Sequence, residues 1–558
     1  MGTVKFVEET SAQDARGSSG QEQPVPGEGR EPALRQRGKF KALPRSSTAL
    51  PPVGVIALNR MGFGPKPGDL EAFYALGPDD ISRLTQYVDQ QLDPAGIDDS
   101  AADQRFADSG YFTYEKDLNQ LWTDHFLSFQ DYEQHIRPAR EVECATLMRA
   151  IHSKRQLFEA LVGFWHDHFN VLGWDFTVAP FLTHYDRDVI RGHALGNFRD
   201  LLEEVARSPV MLYYLDNHRN TNAGPNENFA RELFELHTLG ADRYLGVASQ
   251  LDVPVDGEGV PVGYVDGDIY EATRCLTGWM VDEGCCNSAG SFLYRGDLHD
   301  RFQKLVLGRF ISADQPPLKD GRDVLDFLAR HPGTATHIAT KLCRRFIGEN
   351  PAAEVIEAAA VTFRAEVDSP DQIARVVRTI LLSEAFRTTW GQKAKRPFEI
   401  LVSSLRALAG KFDFMIGNSG AEALLYRYQH SGHRLFAWAF PNGYPETRVA
   451  WVSHTPRVNC WRLINWLVVA RDMNDQLRLD ALAQTPPEVR SATRLVDYWI
   501  DRILGRPMLE EDRQEILEFM AQGINPDFDL PLETDQILQE RLQAMVALLM
   551  MCPDFLVR

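Results

Sequence analysis

Residues 226–240 are Asn226-Glu227-Asn228-Phe229-Ala230-Arg231-Glu232-Leu233-Phe234-Glu235-Leu236-His237-Thr238-Leu239-Gly240, and their pattern indicates a helical fold. A Gly-Pro pair precedes this stretch and a glycine closes it, which marks the two ends of a helix. At about 100° per residue the stretch divides into an apolar face and a charged face. His237 falls on the apolar face and Glu232 lies at its edge. The sequence therefore predicts an amphipathic helix that buries a histidine beside a carboxylate.

The charged face of this helix has an ordinary structural explanation. Glu227, Arg231 and Glu235 are spaced four residues apart, so Arg231 can bridge two carboxylates in solvent. Exposed pairs of this kind each contribute less than about 1 kcal/mol. For His237 two interpretations stay open: a core imidazole bonded to one backbone carbonyl, or a metal ligand or acid/base group.

The same helical periodicity returns along most of the chain, from Asp79 to Met551. We therefore predict a mainly α fold, with one large multi-helix domain over residues 51–558. Residues 1–50 are rich in Gly, Pro, Ser, Gln, Glu and Arg and are predicted to be a disordered leader. Residues 241–310 interrupt the helical pattern, and within them residues 251–262 are predicted to form a small β-hairpin insertion with Asp256-Gly257 at its turn.

A second candidate histidine lies in the stretch Phe164-Trp165-His166-Asp167-His168. The apolar residues before it have helical spacing, and on a helix His166 and His168 point about 200° apart, so they cannot share a metal. His168 falls on the apolar face and His166 falls outside it. A third candidate, His299-Asp300, lies in a Gly-flanked stretch that is not helical, with Lys304 placed to pair with Asp300.

These residues suggest a site. Imidazole and carboxylate suit zinc, iron and manganese, so we expect His168, Glu232 and His237 as metal ligands. The expected catalytic set is His168, Glu232, His237, His299 and Asp300. The chain lacks the His-Glu-x-x-His, phosphate-loop and Gly-x-Ser-x-Gly motifs that would identify a reaction.

Residues 226–240 resemble the signature of the bacterial family called domain of unknown function 1800. Further stretches resemble other motifs of that family: Phe164-Trp165-His166-Asp167-His168-Phe169-Asn170-Val171, Ala194-Leu195-Gly196-Asn197-Phe198-Arg199-Asp200-Leu201-Leu202, Arg274-Cys275-Leu276-Thr277-Gly278-Trp279 with His299-Asp300 and Lys304, and His331-Pro332 with Lys341-Leu342-Cys343-Arg344-Arg345-Phe346. The resemblance runs from about residue 70 to the C-terminus. It implies no defined activity, but members are often exported and often encoded beside a sulfatase-like family, which implies a partner of that type.

Composition excludes some classes of protein. The net charge of −19 argues against binding to a phosphate backbone, so no nucleic-acid partner is expected. No apolar run approaches the roughly 18–20 residues of a membrane span. The first residues lack the apolar core of a signal peptide. We therefore expect a cytoplasmic protein without a transmembrane segment, in contrast to the export implied by the resemblance.

Three functional hypotheses follow from these observations. The first is an enzyme with a buried His/Glu site, with or without a metal. The second is a non-catalytic partner protein in a complex with a sulfatase-like chain, and an exposed aromatic patch between Trp438 and Trp451 would favour it. The third is a haem-binding redox protein, because one proximal histidine is enough to hold a haem.

Overall fold

The computed structural model describes residues 50–286 and 288–558, and the described chain is predominantly helical. The mainly α prediction is confirmed, since the protein is 56% helical. The predicted leader at residues 1–50 lies outside the described residues, apart from Leu50. Each helix in the described part of the chain is too short or too polar to cross a lipid bilayer.

The first half of the described chain holds thirteen α-helices. They are α1 (Val53–Arg60), α2 (Asp69–Tyr74), α3 (Asp80–Leu92), α4 (Ser100–Asp108), α5 (Leu118–Leu121), α6 (Tyr132–His135), α7 (Arg137–His152), α8 (Gln156–His168), α9 (Leu182–His184), α10 (Phe198–Arg207), α11 (Pro209–Tyr214), α12 (Asn228–Glu232) and α13 (Asp266–Cys275).

Twelve more helices follow the strands described below. They are α14 (Lys319–Ala329), α15 (Pro332–Phe346), α16 (Ala353–Ala365), α17 (Gln372–Leu381), α18 (Glu384–Thr388), α19 (Pro397–Ala407), α20 (Ser419–Gln429), α21 (Arg448–Val452), α22 (His454–Val469), α23 (Ala492–Leu504), α24 (Glu510–Ala521) and α25 (Gln536–Met551).

The helix predicted at residues 226–240 is present but not uniform. It begins as α12 and then widens into the π-helical turn Leu233–His237. Gly240, with φ of +92°, follows the helix in a conformation that favours glycine. Single π-turns inside helices often occur at functional sites, because they change the direction of the side chains and carbonyls that follow.

The irregular region contains two antiparallel hairpins. Strands β1 (Trp279–Val281) and β2 (Phe292–Tyr294) form one, and β3 (Lys304–Val306) and β4 (Arg309–Ile311) form the other. Strand is thus confined to the predicted region of residues 241–310, except that β4 extends one residue beyond it.

The hairpin predicted at residues 251–262 is present in a reduced form. Residues 251–262 contain a single antiparallel bridge, between Val255 and Pro261, and no strand. Pro254 and Pro261 have no N–H to donate to a ladder. Backbone bonds from Asp256 to Val260 at 2.8 Å and from Val262 to Pro254 at 2.9 Å flank the bridge. The Asp256 carboxylate accepts hydrogen bonds from two backbone N–H groups of the turn that joins the two sides.

Two helices at the centre of the protein position the site. Every residue of α19 is buried, including Glu399 and Arg406, and ten of the thirteen residues of α8 are buried. A helix buried all round lies in the interior and is not a surface helix with one apolar stripe. The C-terminal end of α8 therefore delivers His166, Asp167 and His168 into the interior.

Candidate active site

His168 caps the end of the π-helical turn. Its Nε2 lies 3.1 Å from the carbonyl oxygen of His237. A carbonyl can only accept, so Nε2 carries the hydrogen and Nδ1 holds a lone pair. That Nδ1 is buried and has no hydrogen-bond partner among the described residues. His168 therefore matches the core-histidine interpretation through one nitrogen and leaves the other unpaired.

His337, on α15, makes the same kind of bond one residue earlier. Its Nε2 donates to the carbonyl of Leu236 at 3.2 Å. The last carbonyls of a helix have no partner within the helix. His168 and His337 supply two such partners, and together they fix the end of the π-helical turn against α8 and α15.

His237 is the least satisfied of the three imidazoles. It is 0% exposed, and neither ring nitrogen has a hydrogen-bond partner among the described residues. Its ring centroid lies 6.1 Å from that of His168, and the His168 and His337 centroids are 6.3 Å apart. The two candidate histidines predicted from separate helices are thus neighbours.

Burial makes all three imidazoles neutral near pH 7. Burial, together with the nearby Lys341 ammonium, lowers the pKa of His237 to about 3 and that of His337 to about 4. The pKa of His168 is held well below its usual range by burial and by the same ammonium. Neutral imidazoles keep a lone pair, which a proton acceptor or a metal ligand requires.

Lys341 is an unpaired lysine beside these histidines. It follows His337 by four residues on α15, so the two side chains share one helix face. No ion pair or side-chain hydrogen bond among the described residues involves its Nζ. Burial lowers the pKa of Lys341 to about 8, although the Asp167 and Glu446 carboxylates act in the opposite direction.

Lys341 and His168 line a cavity of about 220 Å³. The cavity has charged and aromatic walls drawn from three parts of the chain. Its lining residues are Phe164, Asp167, His168, Lys341, Arg344, Trp438, Asn442, Gly443, Tyr444, Pro445 and Glu446. Two stretches that resemble family motifs, 164–171 and 341–346, therefore meet the loop 438–446 at one partly open cavity.

The 438–446 wall is held against the end of α8 by close backbone contacts. Asn170 donates to the carbonyls of Trp438 at 3.1 Å and Phe440 at 2.7 Å. Gly443 has φ of +70°, and a Cβ at this position would lie 2.0 Å from the carbonyl oxygen of Asp167. Only glycine allows the loop to approach this closely.

The carboxylates of the cavity are already paired. Arg396 bonds to Asp167 and also to Glu446, the latter at 2.5 Å. Lys393 forms a second ion pair with Glu446. Burial acts to raise the pKa of Glu446, but Arg396 and Lys393 together hold it well below its usual value. Both carboxylates are therefore ion-paired with cations other than Lys341.

His299 and Asp300 belong to a different cluster. The His299 Nδ1 lies 2.9 Å from the carbonyl of Thr277, and its Nε2 lies 3.2 Å from the Asp320 carboxylate. Asp300 accepts two bonds from Arg274, at 2.8 and 3.1 Å. The expected pairing of Lys304 with Asp300 is present at 3.8 Å, although its closer carboxylate is Asp320 at 2.6 Å.

Glu232 stands apart from the imidazoles. It is partly exposed and makes no side-chain hydrogen bond or ion pair within the described residues. Partial burial and the neighbouring Glu235 raise its pKa, and Arg231 opposes them. His168 and His237 do not figure among the groups that shift it. The structure therefore brings His168 and His237 together without Glu232, and the catalytic role of Glu232, His299 and Asp300 stays a prediction.

The predicted metal ligands do not converge as a set. Within residues 50–286 and 288–558, one trio of His, Cys, Asp or Glu brings its donor atoms within 4.8 Å of one another, and it is Asp282, Cys285 and Cys286. In that trio the Asp282 carboxylate already accepts four backbone N–H groups. The metal role of His168, Glu232 and His237 stays a prediction.

One side chain and one aromatic stretch differ from the sequence predictions. His166 was expected outside the apolar face, but it is buried and bonds to the Asp186 carboxylate at 3.0 Å. The error arises because α8 is enclosed on nearly every side. The aromatic residues of 438–451 were considered as an exposed patch, yet Tyr444 and Trp451 are buried and of that group only Phe440 is strongly exposed.

The sequence prediction missed Lys341 as a site residue, although its motif was recognised. On α15 the polar residues His337, Lys341 and Arg344 are spaced by four and three residues. This spacing is typical of a solvated helix face. No local signal separates Lys341 from a solvated lysine, because Lys393 and Arg396, which pair the nearby carboxylates, come from a distant part of the chain.

Comparisons with known proteins identify the family of the chain. A family model described as "Protein of unknown function (DUF1800)" matches residues 56–557. The chain therefore belongs to this family. No curated protein matches, and no solved structure matches.

Proposed function

We propose that this member of the family is an enzyme whose active site is the cavity beside His168, with Lys341 as the group that exchanges a proton with the substrate. One observation carries the proposal: Lys341 is unpaired while every carboxylate lining the same cavity is paired with another cation. An enzyme of otherwise undefined chemistry is the function that this arrangement supports best.

A partly buried lysine that lacks a carboxylate or carbonyl partner is unfavourable for stability, because its ammonium loses part of its hydration. Removing an ammonium from water costs several kcal/mol unless a partner replaces the lost hydration. Such groups are retained most often where a function uses them. With a pKa of about 8, roughly a tenth of Lys341 is the free amine at pH 7, so it can accept a proton and return it near neutral pH.

His168 contributes a neutral, oriented imidazole to the same cavity. The bond from its Nε2 to the His237 carbonyl fixes both the tautomer and the direction of the ring. The proposed role of His168 is to hold this wall of the cavity and the end of the π-helical turn in place. His237 acts as a positioning residue through its backbone carbonyl.

The two alternative hypotheses gain less support. An exposed aromatic patch between Trp438 and Trp451 would have favoured a non-catalytic role beside a sulfatase-like chain. Trp438 and Tyr444 instead line the cavity, so they do not form such a patch. The haem hypothesis can be tested by the visible absorption of the purified protein. The metal hypothesis can be tested by metal analysis of wild type and His237→Ala. Loss of bound metal in a folded variant supports it, and unchanged metal content contradicts it.

The enzyme proposal is tested by comparing Lys341→Met with Lys319→Met. Lys319 is an exposed lysine paired with Asp323, so its replacement removes the same charge away from the cavity. Wild type and Lys319→Met should turn over a substrate from a panel of small metabolites, followed by NMR. Lys341→Met should lose about 10²- to 10⁴-fold in rate, the usual contribution of general acid–base catalysis.

The pH profile gives a second measurement. The rate for wild type should change across pH 8, where Lys341 titrates, and Lys341→Met should lose that change. Equal turnover by Lys341→Met, or the absence of turnover by wild type across the panel, would overturn the proposal.

A further inference from the structure

We propose that the substrate carries an oxyanion group, such as a carboxylate, phosphate or sulfate, which binds between Lys341 and Arg344. This inference rests on the proposed active site and names the class of molecule that the site accepts. Four observations support it: the charge balance of the cavity, the geometry of α15, the aromatic wall, and the surroundings of the Lys341 ammonium.

The cavity has more cations than its carboxylates can neutralise. Lys341 and Arg344 line it, and Lys393 and Arg396 bond to its walls, against the two acids Asp167 and Glu446. Arg396 and Lys393 occupy those two acids. Lys341 and Arg344 are left over, and neither side chain has an ion pair or hydrogen bond among the described residues.

This surplus of positive charge occurs in a protein of net charge −19. Acidic side chains that could have paired with the two cations are therefore abundant in the chain, but they are not placed at the cavity. A positively charged cleft with low-dielectric walls concentrates anions from solution. The charge distribution favours an anionic ligand over a neutral or cationic one.

The geometry of α15 allows Lys341 and Arg344 to bind the same anion. Lys341 and Arg344 are three residues apart, so their side chains leave the same face of the helix. Lys341 is partly buried and Arg344 is exposed, which places the ammonium deeper and the guanidinium nearer the solvent. An ammonium acts as a point charge, and a guanidinium can bind an oxyanion through two parallel hydrogen bonds.

The C-terminal end of α15 would oppose an anion if it were uncapped, because a helix end carries partial negative charge. Lys393 removes much of that opposition. Its Nζ donates to the carbonyl of Arg344 at 2.6 Å while also pairing with Glu446. The ammonium therefore neutralises a helix-end carbonyl directly beside the proposed binding position.

The remaining wall is aromatic and indicates that the ligand has an organic part. Besides its charged residues, the cavity is lined by the aromatic residues Phe164, Trp438 and Tyr444. The ring centroids of Trp438 and Tyr444 are 5.0 Å apart. Small-molecule sites commonly combine an apolar surface with a few polar groups that fix orientation. The expected substrate is a small organic acid or ester of an oxyacid, rather than a free inorganic anion.

Binding of an anion should be visible in the protonation of Lys341. The charged and titratable groups that face it are Asp167 and Glu446, Arg344, and the imidazoles His168, His237 and His337. The pKa of Glu446 and those of the three imidazoles all lie below the alkaline range, so these groups do not titrate there. An added oxyanion would stabilise the ammonium form, so Lys341 should titrate at a higher pH when the ligand is bound.

The test measures the acetylation of Lys341 in the full-length protein. A brief pulse of acetic anhydride reacts with the free amine, and mass spectrometry gives the rate at Lys341 and at Lys319 in the same sample. Rates are compared from pH 6 to pH 11 with no addition, with inorganic phosphate, with inorganic sulfate, with phenylphosphonate, with benzoate, and with neutral benzamide.

The expected result is a midpoint for Lys341 near pH 8 that phenylphosphonate or benzoate raises by about one unit, with no change at Lys319. Arg344→Gln should reduce that shift. Shifts with organic anions alone identify an organic substrate, and equal shifts with phosphate or sulfate identify a site for the free anion. Both results support an oxyanion site.

Two results would overturn the inference: no anion alters the Lys341 rate, or benzamide alters it as much as benzoate. The oxyanion proposal and the enzyme proposal can fail independently of each other. Turnover that requires Lys341 without any anion effect leaves the enzyme proposal standing and removes the oxyanion. An anion effect without turnover that requires Lys341 leaves an oxyanion-binding protein and removes the enzyme.

Discussion

Two regions of this protein combine a buried histidine, a lysine and carboxylates, and they differ in how completely those groups are paired. Near His299, the Lys304 ammonium contacts the carbonyls of Asp300 at 2.5 Å and Phe302 at 2.9 Å and the Asp320 carboxylate at 2.6 Å. Near His168, the Lys341 ammonium has no such contact. A buried histidine therefore marks a candidate site only when its neighbours leave groups unpaired.

The local backbone explains the difference. Lys304 begins strand β3 beside an irregular loop, where free backbone carbonyls are available as acceptors. Lys341 lies within α15, where the carbonyls are engaged in the helix itself. A lysine on a partly buried helix face therefore needs a side chain or a ligand as partner. The carboxylates near Lys341, Asp167 and Glu446, are already paired with Arg396 and Lys393.

The largest expected effect comes from breaking the paired cluster. Lys304→Met should lower the free energy of unfolding by about 3–5 kcal/mol, because the Asp320 carboxylate stays buried after losing its cation. The measurement is urea denaturation of the purified variant. Lys319→Met, which removes an exposed lysine, should change stability by less than about 1 kcal/mol. A loss below 1 kcal/mol for Lys304→Met would show that the cluster is not tightly paired.

The opposite behaviour is expected for Lys341, and it should depend on pH. Its pKa is about 8 in the folded protein, below the ordinary value of 10.5. Between these values the unfolded chain holds the proton and the folded chain does not, so this group adds stability as pH rises and is destabilising below pH 8. Wild type should therefore gain about 2–3 kcal/mol relative to Lys341→Met between pH 7 and pH 10.5.

The measurement is denaturation of both proteins at several pH values, and taking their difference removes the titration of all other groups. A difference that stays flat with pH would show that Lys341 is fully solvated or paired. The contrast with Lys304 would then disappear.

A third variant tests whether the cavity depends on the close approach of its loop. Gly443→Ala should lower stability by about 1–3 kcal/mol more than Gly523→Ala, measured by denaturation. Both glycines have positive φ, +70° and +82°, but the added methyl meets the Asp167 carbonyl at the first site and open space at the second. Equal losses would mean that the loop yields without strain.

The smallest effect is expected at the exposed ion pairs of the starting helix. Arg231 contacts Glu227 at 3.1 Å and Glu235 at 3.3 Å, which confirms the bridging arrangement predicted from spacing. Arg231→Gln should lower stability by less than about 1 kcal/mol in the same denaturation assay, with the difference reduced further in high salt. A larger loss would indicate that this face is not solvated.

Much of the fold followed from local signals. The helix over 226–240, the helical conformation of the residues leading to His168 and the irregular region near 241–310 were all predicted, because hydrophobic periodicity and Gly or Pro boundaries act over a few residues. The proximity of His168 and His237 was also predicted, from two apolar faces that each carried an imidazole. The hairpin predicted at residues 251–262 is reduced to one bridge, because Pro254 and Pro261 cannot donate to a longer ladder.

The sequence by itself determined that this protein is mainly helical, that it belongs to its family by ordered motifs, and that two histidines would be buried. These properties depend on spacing along the chain. Only the tertiary structure decided which buried groups are paired. Residues 167, 341, 396 and 446 are far apart in sequence, and their pairing depends on distances of a few ångströms between separate elements. For this reason the lysine left without a partner could not be identified before the helices were packed.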